Sequence, residues 1–175
     1  MSEIKAVYPL LEGISIGQSI SERSGAVCYA AMNTATGEKF ILKHISIPES
    51  QVQVEALILT GSCADEAAAK IYYTSVAGDL KEELAALSKA AEGKGFVAYN
   101  GYQIAEKDNG VGFDAYLLGT YRRSLGAYTK KSAVTHLQAV NLAMDLCAAL
   151  ASCREAGYLY VDLKPENVFL TGEQY

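Results

Sequence analysis

The stretch that decides the fold reads YVDLKPENVFL and covers residues 160–170. It places an acid at Asp162, a lysine two residues later at Lys164 and an amide at Asn167, all among apolar residues. A loop of this composition can hold a proton acceptor, a phosphate contact and a metal ligand in one small volume. The stretch is therefore a candidate site for chemistry on phosphate groups.

The same stretch resembles the catalytic loop of eukaryotic-type protein kinases, which has the pattern H-R-D-L-x-x-x-N. The kinase-type run comprises Asp162, Leu163, Lys164, Pro165, Glu166 and Asn167, while Tyr160 and Val161 replace the family's His and Arg. The resemblance implies that Asp162 accepts a proton from the substrate hydroxyl or orients it. It also implies that Lys164 neutralises charge on the moving phosphoryl group and that Asn167 ligates magnesium.

Composition narrows the function classes. Half of the 175 residues are hydrophobic and a fifth are charged, which is typical of a globular chain with one domain or two small lobes. The net charge of -5 does not indicate the basic surface that nucleic-acid-binding proteins usually have. No apolar run approaches the roughly 20 residues that span a bilayer, and the start lacks a signal peptide pattern. We expect a cytoplasmic protein that binds neither nucleic acid nor membrane.

The four cysteines show no CxxC spacing, and the chain has only two histidines. Buried thiols are therefore the expected state of Cys28, Cys63, Cys147 and Cys153, in preference to a zinc site or a disulfide framework.

The hydrophobic pattern predicts an α+β chain. Residues 7–20 contain two apolar segments, 7–11 and 14–16, each short enough for a strand, and Ile14, Ile16 and Ile20 share the even positions of one strand face. After a turn over 21–25, further strands are expected over residues 26–32, 39–45, 96–104 and 113–118, which gives five strands. Residues 48–92 are predicted helical in more than one piece, with a break at Gly78. Thr135 is a predicted N-cap of a helix that ends near Ala156, and its two apolar stripes predict a buried helix.

By resemblance, these elements form a kinase-like N-lobe over residues 1–118. Its five-stranded antiparallel sheet would carry the helix that the family calls αC, with an inserted helix before it. Residues 119–131 would be the hinge, and residues 132–175 a partial C-lobe with its first long helix and the catalytic loop.

Lys43 ends a segment, Phe40–Lys43, that looks like the kinase V-A-I-K segment, in which the lysine holds the α- and β-phosphates of ATP. Glu83 is the candidate ion-pair partner of Lys43, and Glu82 and Glu55 are alternatives. Gly25 and Val27 match the end of the glycine-rich loop. The family's two earlier glycine positions are occupied by Ile20 and Glu22.

The resemblance implies further nucleotide contacts. Leu117 would guard the back of the adenine pocket, and backbone groups of Leu118 and Thr120 would meet the adenine edge. Phe169 would lie against the adenine ring, and Ile41 and Ser124 complete the implied set.

The expected cofactors are ATP and magnesium, and the expected reaction is γ-phosphate transfer to a Ser or Thr hydroxyl of a protein substrate. No D-F-G segment, the family's source of a second magnesium ligand, occurs before Tyr175. We therefore expect a truncated portion of a larger protein that is inactive alone and that dimerises through its exposed long helix. A pseudokinase-like module that binds nucleotide or a partner is the alternative hypothesis, and a small-molecule kinase is a third hypothesis.

Overall fold

The chain divides into two compact units. The computed structural model describes residues 8–23, 25–91, 95–108 and 110–171. One unit comprises Met1–Leu84 with Tyr99–Tyr121, and the other comprises Ala85–Ala98 with Arg122–Tyr175. This division differs from the predicted one because it assigns residues 85–98 to the second unit. Each unit is described by itself.

A five-stranded antiparallel sheet forms the first unit, with the strand order β1-β2-β3-β5-β4. The strands are β1 (Ile14–Arg23), β2 (Ala26–Asn33), β3 (Lys39–Ile47), β4 (Gly101–Glu106) and β5 (Phe113–Thr120). The α+β class and the five-stranded antiparallel sheet are thus confirmed.

The two faces of the sheet are covered by different parts of the first unit. On one face Phe40, Leu42 and Leu118 pack with Tyr8 and Leu11. On the other, which we call the helix face, a separate cluster contains the buried residues Leu84, Ala115 and Leu117. Because directly paired residues of neighbouring strands share a face, the pairing of Lys43 with Leu117 puts Lys43 on the helix face.

Three predictions for the strands differ from the structure by more than two residues. The first apolar segment, expected as a strand, is a 3₁₀ turn over Pro9–Leu11, and Val7 lies outside the described residues. Strand β1 continues to Arg23, so it includes most of the predicted turn; Ser24 is not described. Register shifts in β1 explain why Ile20 is exposed although Ile14 is buried. Residues 96–99 form no strand, since β4 begins at Gly101.

Two helices follow β3: α1 (Gln51–Leu59) and α2 (Glu66–Ala90). The predicted break at Gly78 is wrong, because α2 passes through it without interruption. A helical glycine costs only about 1 kcal/mol, and the alanine-rich sequence around it has high helix propensity. The predicted apolar face is confirmed at Leu80 and Leu84, which pack in the helix-face cluster. Glu92, the predicted end of the helical region, lies outside the described residues.

The second unit contains α3 (Leu125–Thr129) and α4 (His136–Glu155). Helix α3 lies inside the predicted hinge. The predicted N-cap is confirmed, because Thr135 and Gln138 form a reciprocal capping box. Helix α4 ends as predicted at Gly157, whose φ of +85° suits glycine.

The burial that the two apolar stripes of α4 predict is wrong, whereas the exposure of the long helix that we expect in this chain is observed. The side chains of Leu137 and Met144 are 69% and 66% exposed, whereas Cys153 near the end is buried. The helix therefore presents an exposed apolar stripe. Among the described residues, no helix combines the length and the apolar character needed to cross a membrane.

Candidate functional site

The structure brings Asp162, Lys164 and Asn167 together in the second unit. Lys164 Nζ donates to both carboxylate oxygens of Asp162, at 2.9 Å and 2.7 Å. Asn167 Nδ2 donates to Asp162 Oδ2 at 2.8 Å and to the Asp162 carbonyl oxygen at 3.0 Å. Lys164 and Asn167 thus hold the carboxylate of Asp162 in one orientation, between a cation and an amide. A carboxylate that positions a substrate group must be held in this way.

Backbone hydrogen bonds hold this loop against the segment around α3. A 3₁₀ turn over Pro165–Asn167 places Asn167 back over Asp162. Leu125 N then donates to the Val168 carbonyl oxygen at 2.8 Å. Ser124 and Phe169 pair as an isolated antiparallel bridge. Two predicted nucleotide contacts are therefore neighbours in this unit.

The loop leaves the acid accessible. The Asp162 side chain is 63% exposed and that of Lys164 is 36% exposed. Solvent therefore reaches both the carboxylate of Asp162 and the ammonium group of Lys164.

The described residues do not fit a complete magnesium site. Asn167 uses its amide nitrogen on Asp162, which leaves its oxygen as a possible ligand. Among the described residues, no group of three or more His, Cys, Asp or Glu side chains could hold a metal ion. Magnesium prefers six oxygen ligands in octahedral geometry. The single amide oxygen of Asn167 is too few ligands to hold the ion by itself.

Lys43 lies on the helix face of the sheet, partly buried. Its direct neighbours are Cys28 on β2 and Leu117 on β5, and Ile41 shares this face. Three predicted site residues, Ile41, Lys43 and Leu117, are therefore on one surface.

Lys43 takes part in no ion pair among the residues that the structure describes. Within the described part of the chain, no ion pair within 4.0 Å joins Lys43 to Glu83, Glu82 or Glu55. Glu83 does lie near the helix face, because its charge is one of the causes that raise the pKa of Tyr99, after burial and Cys28. The pairing of Lys43 with Glu83 stays a prediction.

The structure does not bring Val27 together with Lys43. Val27 pairs with His44 in a regular β2–β3 ladder, so the side chains of Val27 and His44 share the face opposite Lys43. The β2 residue beside Lys43 is Cys28. Gly25 forms the turn before β2, where its carbonyl oxygen accepts from Ser46 N at 2.8 Å.

Residues before β4 contact the predicted adenine edge. Asn100 N donates to the Leu118 carbonyl oxygen at 2.6 Å, and Thr120 Oγ1 donates to Asn100 Oδ1 at 3.0 Å. A Cβ atom placed on Gly119 would lie 3.5 Å from Cδ1 of Tyr99. Nothing in the sequence singled out Tyr99 or Asn100, since the strand prediction covered both.

A second polar cluster lies on the opposite sheet face. His44 Nε2 and Asp114 Oδ1 are 2.8 Å apart, and the His44 ring stacks on Tyr116 with centroids 4.6 Å apart. Burial alone would raise the pKa of Asp114. The hydrogen bond and charge of His44, with Lys107, outweigh burial and lower it. Sequence reasoning missed this cluster because its members are far apart in the chain.

Comparisons with known proteins give no family. The sequence matches no model of a known protein family, and a search of curated proteins finds no match either.

Proposed function

We propose that this chain is part of an ATP-dependent protein kinase that transfers the γ-phosphate to a Ser or Thr hydroxyl. The observation that carries the proposal is that Lys164 and Asn167 both donate hydrogen bonds to the carboxylate of Asp162. The placement of Lys43 with Ile41 and Leu117 on one sheet face supports it.

The reaction demands mainly positioning and charge neutralisation, because its loose transition state needs little covalent help. Asp162 is the proposed acceptor that orients the substrate hydroxyl, and Lys164 is the proposed cation for the moving phosphoryl group. Lys43 is proposed to bind the α- and β-phosphates. Asn167 is the proposed magnesium ligand, and further oxygen ligands would have to come from ATP, water or other residues.

Nucleotide titrations of lysine variants test these roles. Calorimetry with ATP and with ADP, both with magnesium, should show weaker binding of both nucleotides by Lys43→Met. Lys164→Met should weaken ATP binding more than ADP binding, because its proposed contact is the γ-phosphate. Lys39→Met is the matched control, since Lys39 lies on the same strand and is exposed. Equal effects of Lys39→Met and Lys43→Met would refute the assignment.

A pseudokinase-like module that binds a nucleotide or a partner is the second candidate. The β1–β2 connection favours it, because strand pairing continues to Arg23 and Ala26 and so leaves only two residues between the strands to form a phosphate-binding loop. Radiolabelled ATP and a serine-containing protein separate the two. The assay uses the longer protein to which this chain is proposed to belong, because the chain alone is expected to be inactive. Phosphate transfer by that protein that Asp162→Asn abolishes supports the kinase, whereas nucleotide binding without transfer supports the regulator. A cytoplasmic location and a homodimer remain part of the proposal.

A further inference from the structure

The segment Tyr99–Asn100 makes two kinds of contact that a purine base would need. A base presents a hydrogen-bond donor on its edge and flat apolar faces. Here the backbone N–H of Asn100 is the donor, and it bonds to the Leu118 carbonyl oxygen at 2.6 Å. That carbonyl belongs to the backbone proposed to meet the adenine edge.

Tyr99 supplies the flat apolar group. Its ring lies over Gly119, where an added Cβ atom would be 3.5 Å from Cδ1 of the ring, and it packs against the buried cluster of Leu84 and Leu117. Gly119 pairs directly with Ile41, so the ring lies on the sheet face that carries Ile41 and Lys43.

The pKa of the Tyr99 phenol also reflects its position in the first unit. Burial raises the pKa of Tyr99, and Cys28 and Glu83 raise it further. Cys28 is the direct cross-strand neighbour of Lys43. Cys28 and Glu83 are therefore among the groups whose charge acts on the Tyr99 phenol.

We infer that the Tyr99–Asn100 segment occupies the position of the purine base and must move before a nucleotide binds. This inference rests on the proposed function, because the base position is the one assigned to Ile41, Leu117 and Leu118. A protein whose binding-competent form is a minor fraction binds with its affinity reduced by that fraction. The segment is thus an internal competitor of the nucleotide.

The test is the affinity for ATP with magnesium, measured by calorimetry on the whole chain. Tyr99→Ala removes the ring, and we expect its ATP dissociation constant to fall roughly tenfold or more relative to wild type. Tyr29→Ala is the matched control, because Tyr29 is a partly buried tyrosine that packs on the opposite sheet face. It should leave the affinity unchanged.

Two further measurements keep the inference testable if Tyr99→Ala does not fold. Tyr99→Leu retains an apolar side chain against Leu84 and should also tighten ATP binding. In the wild-type chain, saturating ATP should accelerate hydrogen exchange of the Asn100 amide, because its bond to Leu118 breaks.

The outcomes separate this inference from the proposed function. Tighter binding by the Tyr99 variants alone supports both. Equal or weaker binding by those variants, or equal tightening by Tyr29→Ala, overturns the inference and leaves nucleotide binding intact. Absence of ATP binding by every variant overturns the proposed function and the inference with it.

Discussion

Replacing Gly95 by alanine should destabilise the second unit strongly. Gly95 has a φ of +98°, and a Cβ atom there would lie 2.6 Å from the Cβ and 3.1 Å from the Cα of Ala149 on α4. Neither atom can rotate away, so the backbone must shift. Overpacking of this kind costs about 1–3 kcal/mol, and the positive φ adds about 1 kcal/mol. The expected loss of unfolding free energy is therefore about 2–4 kcal/mol.

Gly157→Ala is the matched control. Gly157 has a φ of +85°, but a Cβ atom there meets nothing within 4 Å. It should lose only the backbone part, about 1 kcal/mol. Urea denaturation of both variants gives the two free energies. In the Gly95→Ala background, Ala149→Gly should restore part of the loss because it removes the nearer of the two atoms.

Equal losses for the two glycine variants would refute the reasoning. They would mean that residue 95 does not approach α4 closely. The close approach matters because it attaches the residues before Tyr99 to the second unit, where Phe96 also lies 6.4 Å from the Tyr160 ring.

Three other measurements test separate features. Burial raises the pKa of Tyr116 from 10.0 to about 12. The stability that its uncharged phenol gives the folded protein is therefore complete below pH 10 and is lost as the pH rises through 12. Between those values, wild type should lose about 2 kcal/mol more unfolding free energy than Tyr116→Phe, and parallel pH profiles would contradict this. Thr135→Ala should cost about 1 kcal/mol by removing the N-cap of α4, and a urea midpoint equal to that of wild type would count against the capping box. Sedimentation velocity should show dimers of wild type and monomers of Met144→Glu, and a wild-type chain that is monomeric at every concentration would exclude the dimer proposed from the exposed stripe of α4.

Local sequence signals predicted the elements whose causes are local. The short apolar segments of β2 and β3, the cap at Thr135 and the glycine at 157 act within a few residues, and the structure has each of them. The convergence of Asp162, Lys164 and Asn167 belongs to the same class, because a six-residue stretch with a 3₁₀ turn brings them together.

Features that depend on distant residues were not predictable. Pairing of β2 with β3 decides which face Val27 occupies, and one residue of register reverses the face. His44 and Asp114 lie 70 residues apart and meet only in the folded sheet. The continuity of α2 through Gly78 shows the opposite case, in which one weak local signal is overridden by the surrounding helix.

The most direct test of the central claim is the unfolding free energy measured in urea with and without ATP and magnesium, on wild type and on Tyr99→Ala. A ligand present at 100 times its dissociation constant adds about 2.7 kcal/mol. We predict a stabilisation of this size in wild type that is larger in Tyr99→Ala and smaller in Lys43→Met at equal ATP. No stabilisation of either protein at millimolar ATP would contradict the account.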